Sequence, residues 1–160
     1  MTIRPIRELG DPVLRTPADE VRAFDKDLAA LVRDLEETVD HPGRAGLAAP
    51  QIGVSARVFS YNIDGVIGHL VNPRVVELSE EIQDGDEGCL SVPGIWAPTV
   101  RANHAVVEGF DVNGEPLRLE GEGLMARCLQ HEVDHLDGKV FLDRLTGDAR
   151  KSALRALRSR

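Results

Sequence analysis

A chain of 160 residues with 42% hydrophobic content can bury the core of one domain, and an aromatic share of 4% leaves that core to Leu, Val, Ile and Ala. Its formal net charge of -8 excludes a general nucleic-acid binder, which needs a cationic surface, so no DNA partner is expected. No apolar run approaches the roughly 20 residues needed to cross a bilayer, so no membrane partner is expected either. The start Met1-Thr2-Ile3-Arg4-Pro5-Ile6-Arg7 lacks the apolar stretch of a signal peptide, and two cysteines, Cys89 and Cys128, are too few for a disulfide framework. The expectation is a soluble protein of a reducing cytoplasm with both thiols free.

In chain order, residues 1–24 carry Pro5, Pro12 and Pro17 and read as an extended arm over the body, without chemistry of its own. From Asp25 the apolar residues Leu28, Leu31, Val32, Leu35 and Val39 follow helical spacing, and His41-Pro42-Gly43 ends the helix. The small residues of Arg44-Ala45-Gly46-Leu47-Ala48-Ala49-Pro50-Gln51-Ile52-Gly53 either make a tight helix-to-strand connection or let an extended peptide approach the backbone. Two hairpins follow. Val58 to Ile63 and Val66 to Val71 flank Asp64-Gly65, and Ala105 to Val112 and Glu115 to Leu119 flank Asn113-Gly114. Val75 to Leu78 reads as a further strand.

Between the hairpins, Gly85-Asp86-Glu87-Gly88-Cys89-Leu90-Ser91-Val92-Pro93-Gly94 reads as a loop whose glycines expose and aim a thiol. Taken alone, a single cysteine is more often a small buried hydrophobe. The run from Gly121 to Gly138 is predicted helical, with Leu124, Cys128, His131 and His135 on one stripe, Glu132 inside it, and Arg127, Gln130 and Asp134 on the other side. Lys139 to Arg144 reads as a short strand or extended piece, and Thr146-Gly147-Asp148 as the start of a last helix. Residues 1–143 hold 13 Lys/Arg against 26 Asp/Glu, whereas 144–160 hold 6 against 1. That basic tail is either a solvated helix favouring its own dipole or a docking element for something anionic.

His131 and His135, one helical turn apart, can close on one metal ion, and Glu132 beside them can carry a proton. The third ligand decides the class of site. Phe141 stands where one metalloprotease pattern has a histidine, and no glutamate follows Glu132. Cys128 is seven residues from His135, roughly 10 Å along a helix axis, whereas metal bonds are about 2.0 to 2.3 Å. Cys89 has no such restriction and completes a Cys-His-His set with a fourth position open to water, the mark of catalysis rather than structure.

Gly46-Leu47-Ala48-Ala49-Pro50-Gln51, Glu87-Gly88-Cys89-Leu90-Ser91 and Gln130-His131-Glu132-Val133-Asp134-His135, in that order, resemble the peptide deformylase family from about Ile6 to Leu145. The resemblance implies one catalytic domain over 1–160, of α+β class, with antiparallel or mixed sheets around the central helix that carries His-Glu-x-x-His. An N-terminal helix and a basic C-terminal helix over 147–160 complete it. It implies hydrolysis of the N-formyl group from N-terminal formylmethionine of nascent bacterial polypeptides, with release of formate. Cys89, His131 and His135 match the ligands of one ferrous ion, with zinc, nickel or cobalt able to replace it, and Glu132 matches the general acid/base. Gln51 and the backbone N–H of Leu90 match the oxyanion donors. Ala45, Gly46 and Gly88 match positions that pair with substrate, and Glu87, Leu124 and Cys128 belong with the substrate pocket. Arg127 is expected to turn its head outward over a packed stem. The first motif usually begins Gly-x-Gly, whereas this chain has Arg44-Ala45-Gly46. A cation at the mouth narrows the entrance, contacts the downstream peptide or points to water, which leaves two alternatives: a deformylase-like protein of altered preference, and a metallopeptidase acting on other N-terminally blocked peptides. The family's role would also suit docking of the basic tail on the ribosome.

Overall fold

The computed structural model of the chain describes residues 3–159. The N-terminal arm is extended as expected, broken by one 3-10 turn at Pro12–Arg15, and its backbone is pinned by bonds from Arg7 N to Gln51 O and from Leu9 N to Ser91 O. Helix α1 (Lys26–Val39) starts where the Asp25 side chain accepts a hydrogen bond from Leu28 N. Leu28, Val32, Leu35 and Val39 bury one face of it against Leu47, Ile52, Val58 and Val71. Fully burying side chains of this size contributes roughly 1.5–3 kcal/mol each.

Five strands form the larger sheet: β1 (Gly46–Ala48), β2 (Val58–Ile63), β3 (Val66–Leu78), β6 (His104–Phe110) and β7 (Pro116–Glu122). Their order is β1-β2-β3-β6-β7, with every pair antiparallel. The first hairpin turns on Asp64 and Gly65, both at positive φ. The segment Val75 to Leu78 is not a separate strand but the far half of β3, which continues past a register shift beside Asn72, itself at a φ of 50°. The second hairpin is wider than a two-residue turn. Asp111 accepts from the amides of Asn113 and Glu115, and Asn113 does not take positive φ.

The stretch read as a loop around Cys89 is a second hairpin sheet, β4 (Ile82–Cys89) paired with β5 (Val92–Ala102). Its glycines and acids are poor strand formers, which hid it. Pairing with β5 and the burial of Glu87 beneath the sheet hold it extended.

Helix α2 (Gly123–Leu136) is packed on two sides. Ala126, Leu129, Val133 and Leu136 meet Phe59, Leu70, Ala105 and Val107 of the larger sheet. The opposite face, with Arg127, Gln130 and Asp134, lies against β5: Gln130 bonds both backbone groups of Ala102, Asp134 pairs with Arg101, and Arg127 bonds the Thr99 carbonyl. Sequence periodicity shows which side is apolar, but not that buried ion pairs cover the other. Residues 139–144 are not a strand either. A 3-10 turn at Phe141–Arg144 closes with the Asp143 carboxylate on Val140 N, and Phe141 stacks on His131. Helix α3 (Gly147–Arg158) buries Ala153 and rests Leu157 on a cluster containing Ile95, Phe141 and Leu145. Arg160 of the predicted basic tail lies outside the described residues. The arrangement is the α+β class read from the sequence, and among the described residues no helix is long and apolar enough to cross a membrane.

Candidate active site

Strands β1 and β4 each leave one edge unpaired, and a cavity of about 770 Å³ opens between Ala45-Gly46 on one side and Glu87-Gly88-Cys89 on the other. Helix α2 forms its inner wall with Leu124, Arg127, Cys128, His131 and Glu132. His131 and His135 project from successive turns, and the end of β4 brings Cys89 to them. Cys89 Sγ lies 3.3 Å from His135 Nε2, which is 3.1 Å from His131 Nε2, and the donor atoms of all three residues fall within 4.8 Å of one another. One thiolate and two imidazoles suit a single borderline divalent cation, and these three fit such a group without rearrangement.

The two thiols differ in the way that assignment needs. Burial pushes the Cys89 thiol up, but His135 and His131 beside it outweigh burial and hold it well below its ordinary value. Cys128 is raised by burial and by the carboxylates of Glu132 and Glu87, stays a neutral thiol, and donates to Ala45 O at 3.4 Å. Burial pushes Glu132 up to about 7, against the pull of His131 and His135. Among the described residues, Glu132 Oε1 and His135 Nδ1 are buried side-chain atoms without a hydrogen-bond partner. A bare oxygen of that kind costs free energy unless it has work in a liganded state.

Gly46 makes room for this carboxylate. A Cβ there would stand 2.5 Å from Glu132 Oε2 and 2.9 Å from Cys128 Sγ, so no larger residue fits beside an undisturbed Glu132. Gln51 is buried with Oε1 accepting from Ala48 N at 2.9 Å, which directs Nε2 towards Ser91 Oγ at 3.1 Å and Cys89 Sγ at 3.7 Å. Leu90 follows Cys89 in the β4 to β5 turn. Leu124 stands at the rim, 55% exposed.

Three expectations are corrected. Glu87 presents no free carboxylate oxygen to a substrate: Oε1 takes Arg127 Nη1 at 2.7 Å and Arg101 Nε at 3.0 Å, while Oε2 takes Arg101 Nη2 at 2.6 Å and faces His131 Nδ1 at 2.5 Å. The Arg127 head turns inward, because buried Glu87 and the Thr99 carbonyl offer it paired partners. Arg44 lines the rim, but its Nη1 donates to Thr38 O at 2.6 Å, so the head is turned back to the end of α1, where carbonyls are left over. Sequence reading also missed Arg101, which bridges Glu87 to Asp134. An arginine in step with Ile95, Ala97 and Thr99 along the alternation of residues 95–101 was the available signal.

A family model described as polypeptide deformylase matches residues 3–151. The peptide deformylase of Acidothermus cellulolyticus is 61% identical over 158 residues, covering 99% of this chain and 87% of that one, and the one from Parafrankia sp. is 50% identical over 159 residues, covering 99% and 87%. The crystal structure of a peptide deformylase from Legionella pneumophila superposes with a TM-score of 0.90 at 42% identity, covering 99% of this chain and 95% of that one. The chain belongs to the polypeptide deformylase family, metal-dependent hydrolases that remove the N-formyl group from nascent peptides.

Proposed function

We propose that the chain acts as one catalytic domain over residues 1–160, and that Cys89, His131 and His135 hold a single ferrous ion, a site that zinc, nickel or cobalt can also fill. The observation that carries this reading is the convergence of these three donors beside the unpartnered, buried Oε1 of Glu132. A divalent cation at such a site supplies Lewis acidity, lowering the pKa of water and polarising a carbonyl.

The remaining chemistry belongs to the chain. Glu132 takes a proton from the attacking water as its oxygen adds to the formyl carbon, and returns that proton to the amine nitrogen as the C–N bond breaks, giving formate and a free N-terminus. A carboxyl group whose pKa lies near neutrality can do both. Gln51 Nε2 and the Leu90 N–H donate to the oxyanion, and the bond from Ala48 N fixes which end of the Gln51 amide is presented. Ala45, Gly46 and Gly88 offer edge-strand backbone to the peptide, as unpaired edges of β1 and β4 would. Leu124 and Cys128 line the pocket for the methionine side chain. We place the protein in a bacterial cytoplasm, where both thiols stay reduced. The exposed cations of α3 suit ribosomal RNA: among the described residues Arg150, Lys151, Arg155 and Arg158 have no ion-pair partner.

Anaerobic protein loaded with ferrous iron and assayed in parallel on formyl-Met-Ala and acetyl-Met-Ala tests the reading. Release of formate with little release of acetate is expected. Release of alanine from both, with the acyl group left on methionine, would favour a peptidase of N-terminally blocked peptides instead. For the ribosome, reversing Arg150, Lys151 and Arg155 to Glu should lower the fraction of protein that pellets with ribosomes, and unchanged pelleting would count against docking.

A further inference from the structure

Trp96, the single tryptophan of the chain, stands 68% exposed on the outer face of β5. Its ring lies over Gly88, where an added Cβ would come within 2.7 Å of Trp96 Cδ2. The ring thus sits on an edge strand of the substrate cavity with most of its surface open to an apolar contact. The segment Gly94-Ile95-Trp96 walls the active-site cavity on one side. On its other side it walls a second cleft of about 460 Å³, closed by Pro98 of β5 and by Ala149, Ser152 and Ala156 of α3. The small side chains of α3 leave a trough there, and among the described residues Asp148 is the one charged residue lining it.

We infer that this second cleft is a subsite for the downstream residues of the same nascent peptide, roughly the third to the sixth, which pass over Trp96 after leaving the catalytic cavity. The proposal rests on the deformylase reading of the adjoining cavity. Continuity identifies the occupant. The cavity that holds Cys89 and Glu132 shares the wall Gly94-Ile95-Trp96 with the second cleft, and Trp96 and Leu124 are exposed in its lining, so a chain that leaves over Trp96 enters the trough directly. The trough beginning at Trp96 is apolar and nearly uncharged, so it fits a peptide of varied sequence through shape and backbone. The indole supplies the apolar contact, which makes apolar or aromatic third and fourth residues the preferred ones.

The test compares kcat/KM for formyl-Met-Ala with that for an uncharged formyl hexapeptide of the same first two residues, in iron-loaded wild type, Trp96→Ala and Ser152→Gln. The second variant fills the trough from an exposed helical position. Wild type should gain about tenfold on extension, the scale of one well-packed aromatic contact, and both variants should lose most of that gain at unchanged melting temperature. The unformylated hexapeptide should shift the emission of Trp96 in the wild type, whereas Met-Ala should not. An equal gain in wild type and Ser152→Gln, or no gain in the wild type, would overturn the subsite. Failure of wild type to hydrolyse formyl-Met-Ala at all would instead strike at the deformylase reading, so the two failures are distinguishable.

Discussion

His131 Nδ1 lies 2.5 Å from Glu87 Oε2, which directs the other ring nitrogen, Nε2, at His135 and Cys89. A proton shared on the Nδ1 side keeps Nε2 available as a ligand and makes it more basic. Glu87 is held in turn by Arg101 and Arg127, so an acid two residues before Cys89 orients a histidine 44 residues further on from itself.

Glu87→Gln should therefore weaken metal retention about 10- to 100-fold, the usual effect of removing such an outer partner. Metal content after dialysis against graded chelator measures it. Retention equal to wild type would mean that the contact to His131 does not orient the ligand.

Gly46→Ala should lower turnover by more than it lowers stability. The added Cβ meets the Glu132 carboxylate and the Cys128 sulfur, so the proton carrier must move. Overpacking of this kind costs about 1–3 kcal/mol of stability, and a displaced acid/base group forfeits much of a contribution of roughly 10²- to 10⁴-fold. Steady-state kinetics beside chemical denaturation separate the two effects, and unchanged turnover would show that Glu132 has room to spare.

Asp134 yields a pH-dependent prediction. Burial pushes its carboxyl up, but hydrogen bonds from Arg144 and Arg101 outweigh burial and hold its pKa below the ordinary value. A depressed folded-state pKa contributes stability above the unfolded-state value and loses it as pH falls through the folded-state one. Asp134→Asn should cost about 3–5 kcal/mol at pH 7, the scale for breaking a buried pair, and the gap to wild type should narrow below about pH 5. Urea unfolding of both proteins across that range gives the gap, and a constant difference would contradict the ion-pair origin.

Arg44→Ala should act on stability rather than on substrate choice, because the guanidinium is engaged at the end of α1. A loss of about 1.5–3 kcal/mol is expected for a charged hydrogen bond, with little change in the Michaelis constants of short and long formyl peptides. A selective rise for long peptides would return Arg44 to the mouth.

What the sequence made legible were features carried by local chemistry. The capped helix after Asp25, the Asp64-Gly65 hairpin and the His131-Glu132-His135 spacing are each set by residues close in the chain. The sequence offered Cys89 as candidate third ligand by excluding Cys128, and Cys89 lies beside His131 and His135 in a group that could hold a metal ion. The β4 to β5 hairpin was not legible, since its strand propensity is low and its pairing supplies the order. Neither was the inward turn of Arg127 or the role of Arg101, because both depend on a buried carboxylate delivered by another strand.

The most direct measurement is formate release from formyl-Met-Ala by iron-loaded wild type and Glu132→Gln, with bound metal quantified in both. If Cys89, His131 and His135 hold the ion and Glu132 moves the proton, both proteins bind one ion per chain and only the wild type turns over at an appreciable rate. Formate release by Glu132→Gln at the wild-type rate, or a wild type that binds metal and releases no formate, would contradict it.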